Sequence, residues 1–259
     1  MSNQQDKVLS FISTNFEKIF VVSLNRSLDR HEHLKKELAG LKYEIIWGVD
    51  GQDYTVEQMK SESLYDENKA VRVSRRRKKM KASTIACAIS HRQICEKIVE
   101  ENIKNALVLE DDVKILQTKS TQGFNSDLPA NWDLIYLGYW KNETRNLHGF
   151  LKQSFYLFLR LFGMIRMNFR EILSIYPTHF NSTFNYSGLH EGAYAYAVSQ
   201  RCARKIIELN TPVIRESDSV LKKIVADPNY VTLAIKTPIL AELSAFPGRK
   251  DKSFESLTK

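Results

Sequence analysis

Cysteine is scarce in this chain, and the little there is forms no pattern. Cys87, Cys95 and Cys202 are odd in number, no CxxC occurs and the spacing fits no metal-ligand motif. A disulfide framework and a zinc ribbon are therefore excluded, and the thiols are expected to be reduced in a cytoplasmic protein. The opening residues Met1 to Lys7 lack the basic start and apolar stretch of a signal peptide. No uninterrupted apolar run approaches the ~20 residues that span a bilayer. GxGxxG is missing after the first predicted strand, so there is no dinucleotide fingerprint. Acidic residues are absent from Ala70 to His91. No internal repeat occurs, and no linker is long enough to separate two domains. Residues 1–259 are thus expected to form one domain, with an inserted amphipathic helical segment at about 148–176.

What is present is enough for a sizeable core: 43% of the residues are apolar. A net charge of +8 and a pI near 9.2 suggest a polyanionic partner, whether nucleic acid, an anionic membrane surface or a phosphorylated small molecule.

The most informative stretch is Asn105-Ala-Leu-Val-Leu-Glu-Asp-Asp-Val113, an apolar run ending in three carboxylates. Ala106 to Leu109 predicts a buried strand, and the acids fall where such a strand leaves the core, the edge at which open α/β sheets bind ligands. Side chains alternate along an extended backbone, so Glu110 and Asp112 project to one side and Asp111 to the other. Two hard oxygen ligands could then share a divalent cation. The plain alternative is a solvated acidic turn.

Around this stretch the chain alternates. Val8, Leu9, Ile12 and Phe16 predict a leading helix, and Ile19 to Leu24 a first strand. Leu28, His31, Leu34, Leu38 and Leu41 form the stripe of an amphipathic helix, and Tyr43 to Val49 a second strand closed by Asp50-Gly51. Thr55-Val-Glu-Gln58 has the form of a capping box. Arg72, Arg75, Arg76, Arg77, Lys78, Lys79 and Lys81 make a dense basic block, either a solvated loop or a contact for phosphate, membrane or nucleic acid. Ser83 or Thr84 could cap the next helix, whose first turns hold Ser90-His91. Gln117 to Asn131 is polar and loop-like. Asp133 to Gly138, Gly192 to Val198 and Tyr230 to Ile235 predict further strands. Ser199 caps a helix through Leu209, and Pro177 to Leu189 is expected to be a loop.

Residues 150–176 differ from the rest. Phe155, Leu157, Phe158, Leu159, Leu161, Phe162, Met164, Ile165, Met167 and Phe169 are interleaved with Lys152, Arg160, Arg166 and Arg170, against a single Glu171. This suits a helix in a membrane interface. An ordinary core helix, or a helical hairpin hinged at Gly163, is the other reading.

Four pieces thus stand at predicted strand or helix ends: Ser23 to Arg30, Val49-Asp50-Gly51, Ser90-His91 and Glu110-Asp111-Asp112. With Val22-Ser-Leu-Asn-Arg-Ser-Leu-Asp-Arg30, Cys87-Ala-Ile-Ser-His91, Ala106 to Val113, Trp132-Asp-Leu-Ile-Tyr-Leu-Gly138 and Ala193-Tyr-Ala-Tyr-Ala-Val-Ser199 in this order, the chain resembles glycosyltransferase family 25 from about residue 18 to 245. That family includes lipopolysaccharide and lipooligosaccharide galactosyltransferases and collagen galactosyltransferases. The resemblance implies an α/β fold of GT-A type, a Rossmann-like α/β/α sandwich with a mostly parallel central sheet. It also implies a UDP-sugar donor, usually UDP-galactose, and a divalent metal, typically Mn2+. Carried over, Asn25 and Arg30 lie where the nucleotide should sit, and Asp50 accepts from base or ribose. Ser90 and His91 match the family's Ser-His pair. Glu110, Asp111 and Asp112 match its acidic triplet, Asp112 with Glu110 as metal ligands and Asp111 reaching a ribose hydroxyl or sugar. Where the family often has glycine and glutamate before the Cys-x-x-Ser-His stretch, this chain has Ser83, Thr84 and Ala86.

The implied chemistry is inversion at the anomeric carbon. It needs a cation on the departing diphosphate and a carboxylate to take the acceptor hydroxyl's proton. Asp218 is the candidate base, with Glu191 behind it. The acceptor is expected to be a glycan or glycolipid of a bacterial surface, and the enzyme to sit peripherally on the inner face of the cytoplasmic membrane. Two other classes stay open. A nucleic-acid-binding protein would use the basic block, but that block has no interleaved aromatics and no reading motif, so no nucleic-acid partner is expected. A catalytically silent sugar-nucleotide-binding member would keep the fold and lack the base.

Overall fold

The structure, a computed structural model, describes residues 3–75, 77–116 and 128–243. Most of the loop expected at 117–131, and the charged tail from Arg249, lie outside the described residues.

The chain opens with helix α1 (Asn3–Asn15), strand β1 (Lys18–Ser23), helix α2 (Leu28–Glu37) and strand β2 (Glu44–Trp47). β1 and β2 pair in parallel, as the strand-helix-strand pattern requires. α3 (Val56–Ser61) starts at the reciprocal capping box between Thr55 and Gln58. α4 (Glu67–Val73) follows, then the long α5 (Ala82–Glu100). α5 begins two or three residues earlier than a Ser83 or Thr84 cap would have it, and Lys81 at its N-cap makes no side-chain capping bond.

β3 (Asn105–Glu110) is buried over Ala106 to Leu109, and a turn leads to the short β4 (Val113–Ile115). β5 (Leu134–Trp140) is buried from Leu134 to Tyr139. Residues 147–173 form two helices, α6 (Leu147–Leu161) and α7 (Phe169–Leu173), with Gly163 between them at φ +67°. The hairpin hinged at this glycine is therefore the arrangement adopted. Two short strands, β6 (Thr178–His179) and β7 (Phe184–Tyr186), occupy part of the stretch expected to be loop. Then come β8 (Glu191–Ser199), α8 (Gln200–Leu209), α9 (Ser217–Val225), β9 (Thr232–Ile235) and β10 (Leu240–Glu242). Ser199 caps α8 by accepting from the Cys202 N–H.

The main sheet has eight strands in the order β2-β1-β3-β8-β5-β9-β7-β6. β1, β2, β3, β5, β9 and β6 run one way, while β8 and β7 run the other, so the sheet is mostly parallel in direction with reversed strands between. The central strands β3 and β8 are buried along nearly their whole length, which requires cover on both faces. α5, α8 and α9 pack on one another and on the sheet. β10 and β4 form a separate antiparallel pair beside the acidic turn, with Glu242 opposite Val113.

Candidate active site

A cavity of about 990 Å³ opens where β1, β2 and β3 end, and it is lined from five directions: the loop after β1, the loop after β2, the start of α5, the acidic turn after β3, and β8 with the start of α9. Parallel pairing sets Val22 beside Glu110, so the next residues, Ser23 and Asp111, stand side by side where the β1–β3 ladder ends. Ser23 Oγ donates to Asp111 Oδ2 at 2.7 Å. Arg30 of α2 reaches across and donates through Nη1 to Asp111 Oδ1, and the same atom lies 3.8 Å from Asp112 Oδ2. All three charged side chains are almost fully buried. Burial works against the guanidinium's charge, but Asp111 and Asp112 override it and hold Arg30 above its ordinary pKa.

This arrangement changes the expected splay of the acids. β3 ends at Glu110, and residues 111 and 112 form the turn into β4, so strict strand alternation stops there. Asp111 has both oxygens engaged by Ser23 and Arg30. Asp112 lies against the same arginine, and its Oδ1 has no hydrogen-bond partner among the described residues. Burial, then Glu110, push the Asp112 carboxyl up to about 8 despite the opposing pull of Arg30, with Glu242 and Asp111 adding to the rise.

Glu110 turns toward α5. Its Oε1 is 3.5 Å from His91 Nε2, an ion-pair distance longer than a hydrogen bond, and that buried nitrogen has no hydrogen-bond partner among the described residues. The ring's other nitrogen, Nδ1, is fixed at 2.9 Å from the Tyr196 hydroxyl of β8. Burial acts to lower the His91 pKa, but Cys87 and Glu110 outweigh it and raise it to about 10. Ligand atoms of Cys87, His91 and Glu110 lie within 4.8 Å of one another. Once His91 Nε2 gives up its proton, that orphaned nitrogen, the Glu110 carboxylate and the Cys87 thiol around one point fit a divalent cation.

The loop after β2 is held against α5 by close packing. A Cβ on Gly51 would fall 2.4 Å from Ser83 Cα, so only glycine allows this approach. Ser90 Oγ accepts from the Val49 N–H at 2.9 Å and donates to Ala86 O at 2.8 Å, which docks the helix on that loop. Asp50 bonds Arg26 through both oxygens and also accepts from the Gln52 N–H. The hydrogen bonds to Arg26 and Gln52 hold its carboxyl below the ordinary range, although burial opposes them. Arg26 and Arg30, one turn apart, therefore each have a carboxylate of their own, and no anion between them is needed to relieve their repulsion.

Of the residues singled out in the sequence, Arg30, Asp50, Ser90, His91, Glu110, Asp111, Asp112, Glu191 and Asp218 all line this cavity. Asn25 does not: it is exposed, while its neighbours Leu24 and Arg26 face the cavity. Glu191 pairs with Lys141 at 2.5 Å, and Asp218 with Lys222 at 2.7 Å. Asp218 is inside the first turn of α9, with Glu216 in the capping position, so it is not the helix cap. His190, next to Glu191, is a buried structural residue. Its Nδ1 donates to Lys141 O at 3.1 Å and its Nε2 accepts from the Gly188 N–H at 3.2 Å. Burial lowers its pKa to about 4.

Sequence reasoning missed Cys87, Tyr194 and Glu242 as lining residues. Cys87 had a signal, because it lies one helical turn before His91 on the same face. Tyr194 stands two residues before Tyr196 in an alternating strand and therefore shares its face. Glu242 had none; it arrives on a three-residue strand through its pairing with β4.

The sequence matches Glycosyltransferase family 25 (LPS biosynthesis protein) over residues 16–221, about four-fifths of the chain. It is 24% identical to procollagen galactosyltransferase 2 of Mus musculus over 130 residues, covering 48% of this chain and 21% of that protein. It is 25% identical to procollagen galactosyltransferase 1 of Danio rerio over 150 residues, covering 53% and 23%. A glycosyltransferase 25 family member of Anopheles gambiae is 30% identical over 132 residues, covering 46% and 21%. The matches thus span about a fifth of the length of these relatives.

Proposed function

Because the chain belongs to glycosyltransferase family 25, we propose that its cavity takes a UDP-hexose, galactose first, together with a divalent cation such as Mn2+. The hexose is passed with inversion to the glycan of a lipopolysaccharide or lipooligosaccharide acceptor. The family's description supports that acceptor, and the names of the procollagen galactosyltransferases support the sugar. The observation that carries the reading is the meeting, in one cavity, of the acidic turn after β3 with two lysine-paired carboxylates, Asp218 and Glu191.

In this reading Glu110 and Asp112 hold the cation, with His91 and Cys87 within reach of Glu110. When bound, it stabilises the charge that grows on the departing diphosphate. The ion pair of Arg30 with Asp111, locked by Ser23, fixes the turn so that Glu110 and Asp112 need not reorganise during reaction. Asp50 and Arg26, at the cavity wall after β1 and β2, suit the ribose and base. Lys81 and Arg26 supply positive charge for the phosphates. Asp218 takes the proton from the attacking acceptor hydroxyl, and Glu191 orients the acceptor from β8.

The test is a thermal-shift panel of nucleotide sugars with and without Mn2+, followed by transfer assays. A ligand of the folded state raises the melting temperature by mass action. UDP-galactose with Mn2+ is expected to give the largest shift, and Glu110→Gln to abolish its metal-dependent part while leaving the unliganded melting temperature close to wild type. No shift with any UDP-sugar would refute the donor. A shift without transfer to any glycan would identify a silent sugar-nucleotide-binding member.

A further inference from the structure

α6 is amphipathic in the opposite sense from a helix of a water-soluble surface. Its buried side carries Gly149, pressed against the ring of Tyr176, and Gln153, whose amide donates to Ile172 O and Leu173 O. Its outer side carries Leu147, Phe150, Leu151, Phe155, Phe158 and Leu161, which recur at three and four residues and form one stripe. Leu147 is 76% exposed and Leu161 70%. Past the end of the helix, Phe162 and Met164, largely exposed, and the half-exposed Phe169 extend the apolar surface toward α7. A patch this continuous on a folded chain marks a surface that something covers.

The charge around the stripe indicates what covers it. From Thr144 to Arg170 there is no acidic residue, but there are five cations: Arg145, Lys152, Arg160, Arg166 and Arg170. The fold adds the basic segment before α5 to the same neighbourhood. Arg75 bonds the Tyr156 hydroxyl of α6 and lies over its ring, and Arg166 donates to the carbonyls of Arg72 and Ser74. Two features far apart in the sequence thus meet around α6 and the α6–α7 turn. A second copy docking through the same patch would bring like cations together, which opposes a symmetric dimer. An anionic sheet of headgroups over hydrocarbon satisfies both the charges and the aromatic stripe.

We propose that the exposed face of α6, with the α6–α7 turn and the adjoining basic segment, is a docking surface for an anionic lipid bilayer. Phe150, Phe155 and Phe158 enter the acyl boundary, and the surrounding arginine and lysine side chains meet the phosphates. Lys81, at the end of the basic segment, also lines the cavity. The site is therefore connected through a few residues to the docked face, which suits an acceptor carried on a lipid. This inference does not depend on the reaction proposed above.

The experiment is co-sedimentation of the full chain with sucrose-loaded vesicles of phosphatidylcholine alone or mixed with phosphatidylglycerol. Binding is expected on the mixed vesicles only, falling at high salt. The triple variant Phe150→Ser, Phe155→Ser, Phe158→Ser should weaken it about tenfold or more with an unchanged melting temperature, because these side chains are exposed in the free protein. Arg145→Gln with Lys152→Gln should weaken it less and reduce the salt dependence. Equal binding by the triple variant, or no binding to anionic vesicles, would overturn the proposal. So would a concentration-dependent dimer that the triple variant abolishes without any lipid binding. Duplex RNA binding that the triple variant leaves intact, with no vesicle binding, would assign the basic segment to nucleic acid instead.

Discussion

Replacing Arg30 with methionine tests whether the acidic turn is organised from within the protein. Arg30 is 4% exposed, Asp111 3% and Asp112 1%. Arg30→Met keeps much of the side-chain volume but leaves Asp111 with only the Ser23 hydroxyl, and leaves two buried carboxyls facing each other. Removing one partner of a buried ion pair costs about 3–5 kcal/mol, and the turn is buried enough for the upper half of that range. A domain holds only about 5–15 kcal/mol in total, so the variant is expected to lose a large part of its stability at pH 7. Most of the loss is the uncompensated charge and not the lost contact. Two consequences separate this from a packing defect. The deficit should shrink between pH 9 and pH 7, as the Asp112 carboxyl, held up to about 8, takes a proton, and Arg30→Met with Asp111→Asn should recover about half of it or more. Urea unfolding followed by tryptophan fluorescence, at both pH values and for all three proteins, gives the numbers. A deficit under about 1 kcal/mol at pH 7, or one that neither pH nor the second substitution relieves, would refute the reasoning.

His190 predicts acid sensitivity. Its folded pKa, about 4, lies below the unfolded value near 6.5, so the stability it contributes is complete above pH 6.5 and is lost as pH falls toward 4, about 3 kcal/mol in all. Melting temperature against pH should fall more steeply over that window for wild type than for His190→Gln. Gly51→Ala drives a methyl group into the Ser83 backbone and should cost about 1–3 kcal/mol by denaturant unfolding. Asp218→Asn should lower transfer about 100-fold or more while nucleotide-sugar binding, read by thermal shift, stays within a factor of a few.

Much of the fold was legible because its signals are local and long. The α2 stripe, the apolar runs of β1 and β3, the Thr55–Gln58 box and the Ser199 cap each need only neighbouring residues to declare themselves. β4, β6, β7 and β10 were missed because strands of two or three residues carry no period, and partners elsewhere in the chain define them. The acids at 110–112 were found, but their directions were not. Alternation holds only while the strand lasts, and Arg30, about 80 positions earlier in the sequence, decides where Asp111 points. The amphipathic character of 150–176 was visible in the sequence, whereas which side of α6 faces inward was not. Gly149 and Gln153 reveal that only through Tyr176 and the end of α7.

β8 sits between β3 and β5 although eighty residues, 111–190, separate it from the first of them, with Leu107 paired to Ala197. A nascent chain therefore carries β3 with one ladder edge open until residue 199 has left the ribosome. That edge is apolar and long enough to recruit a neighbouring chain. Folding of the centre should consequently be late and slow, since its closing contacts are among the most distant in sequence. Truncations that stop short of β8 are then expected to aggregate instead of yielding a smaller folded unit.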